Sequence, residues 1–424
     1  MTRSTALFTD RYELTMVDAA LCSGQASQRA VFELFTRSLP PRRAYGVVAG
    51  TGRAIEAVLD FTFTDEELTW LDQNKVVSPQ ALEFLAGYQF TGDIWGFLEG
   101  DLYLADSPIL TVEAPFAEAV LLETVLLSIF NHDSAVASAV ARMVDAAGGR
   151  SVIEGGARRA HESAAVSAAR SAYLAGASAS SNLEAGRAYG LPTVGTIGHA
   201  FVLAHDTEEQ AFAAQHELLG SDTTYLVDTY DIEAGIRAAV DVAGPKLGAI
   251  RIDSGDLGIE SRAARILLDG LGATDTKIIV SGDLDEWSMA ALADAPIDGY
   301  LVGTNLITGS GHPTASMVYK LVAIEGDGGM RSVNKRSSGK GTVGGRKAAF
   351  RMPDHDLLVI DNELPLTEVP GPGRRLQVPL IHGGEPVLQP SLETSRAWCR
   401  TCLAELPDEA RRPDAFPAES RVKI

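Results

Sequence analysis

The stretch Leu247-Gly248-Ala249-Ile250-Arg251-Ile252-Asp253-Ser254-Gly255-Asp256 changes from apolar to charged residues within a few positions. Such a change is typical of a strand in an α/β barrel, because the catalytic groups of that architecture lie at the carboxyl ends of its strands. Side chains alternate between the two faces of a strand, so Arg251 and Asp253 are predicted to point the same way. The pair is either an internal ion pair that closes the barrel mouth or a substrate site with a cation beside a carboxylate. We favour the substrate site.

Short apolar runs separated by helical segments continue on both sides of this stretch. The other runs are Ser151-Val152-Ile153, Thr193-Val194, Tyr225-Leu226-Val227, Ile278-Ile279-Val280 and Tyr300-Leu301-Val302, and the helices are expected over 116–130, 134–147, 232–242 and 261–271. Strands spaced by helices predict a parallel α/β sheet or barrel, here over 113–324. Residues 1–112 and 325–424 instead mix short strands, helices and loops.

The bulk composition limits the class of partner. The chain has 424 residues, of which 36 are Lys or Arg and 56 are Asp or Glu, giving a net charge of −20. Such a surface repels nucleic acids and anionic membranes, so neither is expected as a partner. The N-terminus carries no apolar signal core, and the most apolar segment, 119–130, is too short to span a bilayer. Anionic substrates would need a local cationic pocket, which gives weight to arginines beside strand ends.

The cysteines indicate the compartment. Three cysteines are too few for a disulfide framework in a chain of this size, so a cytoplasmic location is expected. Cys399 and Cys402 form a CxxC pair, but a zinc site would need a second pair at similar spacing, and the sequence has none. The pair is interpreted as incidental, with a redox or metal role as the minor alternative.

One histidine lies in a glycine-rich stretch, Gly195-Thr196-Ile197-Gly198-His199-Ala200. A lone histidine in a loop is usually structural. Three features favour a functional interpretation of His199: its glycines, its place after a predicted strand, and the carboxylates on neighbouring runs. An imidazole backed by a carboxylate can accept a phosphoryl group.

Four other strand ends carry polar groups or glycines. Gly155-Gly156-Ala157-Arg158-Arg159 is interpreted as an anion site, with a surface ion pair as the alternative, and Arg158 is the stronger candidate. In Asp228-Thr229-Tyr230-Asp231 either aspartate could cap a helix, and Asp228 is the better site candidate. Ser281-Gly282-Asp283 and Val302-Gly303-Thr304 resemble the phosphate-binding loops of barrel enzymes.

A basic segment late in the chain requires a separate interpretation. Gly339-Lys340-Gly341-Thr342 is similar to part of a Walker A loop. That motif needs a glycine at position 334, which is Asn, and a serine or threonine at position 341, which is Gly, so we reject that site. A flexible lid over 334–351 is the alternative.

These motifs, together with Thr9-Asp10-Arg11-Tyr12-Glu13-Leu14-Thr15-Met16, Phe32-Glu33-Leu34-Phe35 and Ser180-Ser181-Asn182, occur in one order. In that order the chain resembles nicotinate phosphoribosyltransferase from end to end. The resemblance implies an incomplete, TIM-like α/β barrel and a second α+β domain that 1–112 and 325–424 build together. It also implies a homodimer with shared active sites. The implied reaction converts nicotinate, phosphoribosyl pyrophosphate, ATP and water to nicotinate mononucleotide, pyrophosphate, ADP and phosphate, with Mg²⁺ as cofactor.

The resemblance also assigns roles to residues. It makes His199 the phosphorylated catalytic histidine, with Arg251, Asp253 and Asp283 as further catalytic groups, and it places Mg²⁺-pyrophosphate at the two aspartates. Substrate contacts fall on Tyr12 from the partner subunit and on Arg158, Ser181, Asn182, Asp228, Ser254, Gly282, Gly303 and Thr304. One departure is that many relatives carry a phenylalanine near Gly155, where this chain has only glycines.

Other functions stay open at this stage. The base could be nicotinamide or quinolinate, and the quinolinate enzyme needs neither ATP nor His199. A barrel aldolase would place a Schiff-base lysine at a strand end, whereas Lys246 and Lys277 precede their strands. A non-catalytic homologue that binds nucleotides is the remaining alternative, and the complete set of His199, Arg251, Asp253 and Asp283 speaks against it.

Overall fold

The computed structural model describes residues 4–335, 343–353, 355–360, 371–415 and 422–423. The chain forms two compact units. Unit 1 comprises Met1–Ala135, Thr314–Ala410 and Phe416–Ile424, and unit 2 comprises Val136–Pro313 and Arg411–Ala415. These bounds differ from the domains expected from the sequence, whose limits at 112 and 325 fall within or beside strands of unit 1.

The strands are numbered along the chain. They are β1 (Arg29–Thr36), β2 (Gly46–Val47), β3 (Asp93–Phe97), β4 (Leu102–Tyr103), β5 (Leu110–Pro115), β6 (Ser151–Glu154), β7 (Ala179–Ser180), β8 (Thr224–Leu226), β9 (Ala249–Ile252), β10 (Lys277–Ser281), β11 (Gly299–Val302), β12 (Met317–Gly326), β13 (Gly329–Ser332), β14 (Lys347–Arg351), β15 (Asp356–Ile360), β16 (Arg374–Arg375), β17 (Gln377–His382), β18 (Glu385–Pro386) and β19 (Val422–Lys423).

The helices are numbered in the same way. They are α1 (Arg11–Ser23), α2 (Thr51–Leu59), α3 (Asp65–Gln73), α4 (Pro79–Ala86), α5 (Phe116–Val120), α6 (Glu123–Ala146), α7 (Glu162–Leu174), α8 (Leu183–Tyr189), α9 (His199–Leu203), α10 (Glu208–Leu219), α11 (Ile232–Ala243), α12 (Leu257–Gly270), α13 (Glu286–Ala291), α14 (Thr304–Ile307), α15 (Leu392–Ala404) and α16 (Asp408–Arg411). Short 3-10 helices cover Ala6–Phe8 and Ala157–Arg159.

Unit 2 is built around an open parallel sheet. Its six strands lie in the order β7-β6-β11-β10-β9-β8, and every neighbouring pair is parallel. The last strand along the chain, β11, pairs with the first, β6, so the sheet curls back on itself, while β7 and β8 form its two edges. This arrangement confirms the predicted incomplete α/β barrel.

Five of the six predicted strands of this sheet are present, and one prediction is wrong. Thr193 forms only an isolated bridge with Ser180, so the strand predicted directly before His199 is not formed. The sixth strand is β7, whose two small residues carry no apolar signal. The helices expected over 116–130 and 134–147 are also different, because α6 runs through the polar residues 131–133 as one helix.

Unit 1 contains an antiparallel sheet in the order β13-β12-β1-β5-β3-β17-β18 and a four-stranded sheet in the order β16-β14-β15-β19. The central strand β1 is buried at every position after Arg29, and the ring of Phe32 stacks on Tyr319 with centroids 4.9 Å apart. β5 and β12 flank β1 on either side. The sheet is therefore assembled from both ends of the chain.

The basic segment has a different role from the expected lid in the part that the structure describes. Lys347 lies on the buried strand β14, and its Nζ is 2.6 Å from Oε2 of Glu33. Residues 336–342, which include the glycine-rich stretch, lie outside the described residues. Within the part of the chain that is described, no helix is both long and apolar enough to cross a membrane.

Candidate active site

The candidate site lies at the carboxyl edge of the open sheet in unit 2. Asp228 follows β8, Asp253 follows β9 and Asp283 follows β10, so three carboxylates lie in the loops of three adjacent strands. His199 is not at a strand end as predicted. It is the first residue of α9, which Gly198 precedes in an extended conformation.

His199 contacts a buried carboxylate. Its Nε2 lies 3.1 Å from Oδ1 of Asp228, and the histidine side chain is 39% exposed whereas the aspartate side chain is 2% exposed. The other oxygen of Asp228 accepts hydrogen bonds from the backbone N–H of Asp253 at 2.9 Å and the hydroxyl of Ser254 at 2.6 Å. The aspartate is therefore fixed from β9 and holds the exposed imidazole in one orientation. Asp231 caps α11 instead, as the alternative interpretation of that motif expected.

Among the residues that the structure describes, Arg251 has no carboxylate as a direct partner. Its Nε is buried without a hydrogen-bond partner, and no ion pair within 4 Å joins Arg251 to Asp253 among the described residues. Burial lowers the pKa of Arg251, the charges of Asp253 and Asp228 oppose that shift, and the charge of Arg158 adds to it. Asp253 instead accepts a hydrogen bond from the hydroxyl of Ser281. The internal ion pair between Arg251 and Asp253, which was the alternative to a substrate site, is thus not formed.

A second arginine adds positive charge near Arg251. Arg158 lies in the exposed 3-10 helix that follows β6, and its charge acts on Arg251. In the described residues neither arginine has a carboxylate within ion-pair distance. Two guanidinium groups without such partners are suited to an anionic ligand, because a carboxylate or phosphate can accept their hydrogen bonds in pairs, and the anion site stays a prediction.

The loops after β10 and β11 are joined to each other. The side-chain amide of Asn305 donates to the backbone carbonyl groups of Asp283 and Leu284, both at 3.2 Å. Gly282 has a φ of +137°, a conformation that favours glycine. Gly303 and Thr304 begin the short helix α14 beside it. The phosphate-binding role of these loops stays a prediction, and their backbone arrangement is compatible with it.

Asp253 and Asp283 carry carboxylate oxygens that a metal ion could bind together with a substrate. Across the described residues, no three His, Cys, Asp or Glu side chains are arranged to hold a metal ion by themselves. Mg²⁺, however, is commonly held by one or two carboxylates together with substrate phosphates. Oδ1 of Asp253 accepts a hydrogen bond from Ser281, and its other carboxylate oxygen has no partner in the described residues. The side chain of Asp283 is exposed. This donor set fits Mg²⁺ that arrives with a phosphorylated substrate.

Sequence reasoning missed Glu154, the last residue of β6. It is fully buried, and it accepts hydrogen bonds from the backbone N–H of Gly156 and the hydroxyl of Ser180, both at 2.5 Å. A charged residue directly after an apolar run is the signal that identified Asp253, and it was present here as well. Asn182, predicted as a substrate contact, caps α8 through its Oδ1, which leaves its amide N–H groups for other partners.

Tyr12 lies in unit 1, in the first turn of α1, and is 46% exposed. Burial and the charges of Glu123 and Glu13 raise the pKa of its hydroxyl group. The neighbouring Glu13 is buried and accepts hydrogen bonds from Thr9 and from both the backbone N–H and the hydroxyl of Thr124. Glu13 thus joins the first turn of α1 to the first turn of α6.

Two alternatives from the sequence lose support. Cys399 and Cys402 are buried free thiols on α15, and burial raises the pKa of Cys399 to about 12, so the reactive thiolate is scarce. Lys277 begins β10 and therefore lies at the opposite end of that strand from Asp283. It is not placed for Schiff-base chemistry at the candidate site.

Known proteins resemble this chain in sequence and structure. The family model for the nicotinate phosphoribosyltransferase (NAPRTase) N-terminal domain matches residues 7–131. A nicotinate phosphoribosyltransferase of Mycobacterium tuberculosis is 52% identical over 416 residues, covering 95% of this chain and 91% of the relative. One of Bacillus subtilis is 42% identical over 360 residues, covering 82% and 73%. The crystal structure of human nicotinic acid phosphoribosyltransferase has a TM-score of 0.80 at 25% identity, covering 98% of this chain and 97% of that one. The chain therefore belongs to the nicotinate phosphoribosyltransferase family.

Proposed function

We propose that this chain transfers the phosphoribosyl group of phosphoribosyl pyrophosphate to nicotinate, and that ATP hydrolysis through a phosphorylated His199 drives the reaction. The observation that carries the proposal is the His199–Asp228 pair at the same sheet edge as Arg251, whose buried Nε has no hydrogen-bond partner in the described part of the chain. A nucleophile with its orienting carboxylate and a cation without an anion are the two parts that this reaction needs. The names of the relatives agree with it.

In the ATP half-reaction Asp228 accepts the Nε2–H of His199, which leaves the Nδ1 lone pair free to attack the γ-phosphorus. The N–P bond forms as the bond from phosphorus to the ADP oxygen breaks. Water later attacks the same phosphorus, releasing phosphate and restoring the imidazole. The buried carboxylate favours this sequence because it stabilises positive charge on the ring.

In the transfer half-reaction the bond from ribose C1 to the pyrophosphate oxygen breaks, and the pyridine nitrogen of nicotinate forms the new bond. Positive charge develops on the sugar, and Asp253 and Asp283 are the carboxylates proposed to stabilise it. Mg²⁺ bound with the substrate at these two aspartates would neutralise the leaving pyrophosphate. Arg251 and Arg158 hold the anionic groups, and a carboxylate on the base fits a guanidinium fork better than a neutral amide does.

The remaining predicted contacts complete the substrate pocket. Ser181, Asn182, Gly282, Gly303 and Thr304 are proposed to contact the substrates through hydroxyl, amide and backbone groups. Ser254 has a more specific role than the substrate contact expected for it, because its hydroxyl donates to Asp228. It supports the histidine through the aspartate.

The assembly proposed for the enzyme is a homodimer in the cytoplasm with shared active sites. Tyr12 of one subunit covers the pyridine ring bound by the other, and its exposed ring supports this role. Offset stacking of this kind is worth ~1 kcal/mol beyond burial.

The test is to incubate the protein with phosphoribosyl pyrophosphate, Mg²⁺ and one base at a time, with and without ATP. Nicotinate should give its mononucleotide, and ATP should stimulate the yield. His199→Ala should abolish both the stimulation and the acid-labile label that ATP leaves on the protein, while weak ATP-independent transfer persists. Product from quinolinate or nicotinamide in place of nicotinate would reassign the substrate. Nucleotide binding without any product would indicate a non-catalytic homologue.

A further inference from the structure

Glu154 is a buried carboxylate that the proposed chemistry does not use. Both of its oxygens accept hydrogen bonds, but the donors are a backbone N–H and a serine hydroxyl. Among the described residues no arginine, lysine or histidine forms an ion pair with it. A buried carboxylate without a cation costs stability. Its presence at the carboxyl edge of the sheet therefore indicates a role beyond packing.

One oxygen of Glu154 fixes the loop that leads to Arg158. Oε1 accepts the N–H of Gly156, and Gly156 is packed so closely that a Cβ there would lie 2.8 Å from the carbonyl oxygen of Gly303. The N–H of Gly155 also donates to Val302 at 2.8 Å. The loop after β6 is thus held against the loop after β11, and the hydrogen bond from Gly156 to Glu154 fixes the turn at the end of β6.

The other oxygen leads to His199 by way of Ser180. The hydroxyl of Ser180 donates to Oε2 of Glu154 and accepts the N–H of Asn182 at 2.9 Å. The backbone of Ser180 bonds to Pro192 and Val194, both at 3.0 Å, and these residues begin the segment that carries His199. Ser180 therefore joins the glutamate to two further parts of the site, through its hydroxyl to Asn182 and through its backbone to the segment that carries His199.

We propose that Glu154 is a positioning residue for the phosphoribosyl transfer, holding the Arg158 loop, the Asn182 loop and the segment leading to His199 in one arrangement. The proposal rests on the proposed function. Geometry of this kind matters because a displacement of about 1 Å can cost on the order of a hundredfold in rate.

The chemistry of the contact defines the informative substitutions. Burial raises the pKa of Glu154, whereas the bonds from Ser180 and Gly156 oppose that shift. A neutral carboxyl group would still accept from Gly156 and could donate to Ser180. Glutamine offers the same two groups, so Glu154→Gln preserves the connection and Glu154→Ala removes it. Ser180→Ala removes only the serine arm.

The experiment measures kcat and KM for nicotinate, labelling of His199 by ATP, and the thermal unfolding midpoint. Glu154→Ala is expected to lower kcat/KM for nicotinate by about tenfold or more, and Glu154→Gln to stay within about twofold of wild type. The double variant with Ser180→Ala should be no worse than Glu154→Ala alone, since the two residues share one interaction. Labelling of His199 should persist in all of them, because Asp228 is untouched.

Ser178→Ala is the matched control. Ser178 also joins β6 to β7, through Ser151 at 2.6 Å and Val152 at 3.0 Å, but at the amino ends of these strands. It should lower the unfolding midpoint and leave the kinetic constants unchanged.

The outcomes separate the two proposals. An active wild type with unchanged kinetic constants in Glu154→Ala overturns the positioning role. Where Glu154→Ala does not fold, unchanged constants in Ser180→Ala overturn it instead. A wild-type chain that forms no nicotinate mononucleotide refutes the proposed function, and this inference with it.

Discussion

Oδ1 of Asp228 lies 3.1 Å from Nε2 of His199, and the aspartate is the buried member of the pair. A buried carboxylate fixes both the orientation of the ring and the nitrogen that carries the proton. The pair therefore predicts how the histidine reacts, and each of its parts can be changed separately.

Asp228→Asn should slow the labelling of His199 by ATP at least about tenfold, or ~1.4 kcal/mol in the barrier, because the amide cannot stabilise charge on the ring. The rate is measured with γ-labelled ATP in the absence of nicotinate. Asp231→Asn is the control, since Asp231 caps α11 and asparagine caps equally well. Equal labelling rates in wild type and Asp228→Asn would remove the aspartate from the mechanism.

Arg251→Met should separate activity from stability. Loss of the guanidinium is expected to lower kcat/KM for nicotinate, which corresponds to a loss of about 3 kcal/mol in transition-state stabilisation, since a charge-assisted contact disappears. The free energy of unfolding should stay the same or rise, because the buried Nε has no protein partner in the described residues. Denaturant unfolding and steady-state kinetics test the two parts.

Arg237→Met serves as the control for Arg251→Met, because Arg237 pairs with Glu233 on the exposed face of α11. Near-normal activity in Arg251→Met would place the anion site elsewhere, with Arg158 as the next candidate.

Glu13 should make the stability of unit 1 depend on pH. Burial raises its pKa from 4.5 to about 7, so between these values the folded chain holds a proton that the unfolded chain releases. The contribution of this group to the free energy of unfolding therefore falls as the pH rises from about 4.5 to about 7. Glu13→Gln mimics the neutral form, and the hydroxyls of Thr9 and Thr124 can accept from its amide.

Denaturant unfolding between pH 4 and 8 checks the effect of Glu13. The variant should gain stability relative to wild type as the pH rises through that window, and the exposed Glu66→Gln should not. Parallel curves for wild type and Glu13→Gln would show that the carboxyl group titrates normally.

Tyr12 should act across the subunit interface. Tyr12→Ala and Arg251→Ala homodimers should each be nearly inactive, but a mixed dimer has one site with both defects and one with neither. Activity should return after subunit exchange, which native mass spectrometry can follow. Verified exchange without recovery would mean that Tyr12 serves its own subunit or only packing.

Much of the sheet in unit 2 could be predicted, because its strands are continuous apolar runs that end abruptly in polar residues. The run around Arg251 and Asp253 shows the rule at its clearest. This pattern did not predict the strands correctly where the extended segments are very short. β7 consists of one alanine and one serine, and Thr193 is extended for a single bridge.

The site was predictable as a set of loops but less so as a set of contacts. The sequence indicated Arg251 beside Asp253, yet the carboxylate of Asp253 bonds to Ser281, on the neighbouring strand. Strand register decides that choice, and register between distant segments is not visible in a local pattern. The same holds for Glu154 and Ser180, which meet only because β6 and β7 are parallel neighbours.

The open sheet has a consequence for turnover. The segment that carries His199 runs between the two edge strands, and the bridge at Thr193 secures it to β7. In the proposed reaction the ring gains and loses a phosphoryl group, and so changes in volume and charge, once per cycle. On a fully paired strand each change would disturb close-packed neighbours. On this segment we expect the disturbance to stay local, so that the strands carrying Arg251 and Asp253 keep their shape while His199 is phosphorylated and dephosphorylated.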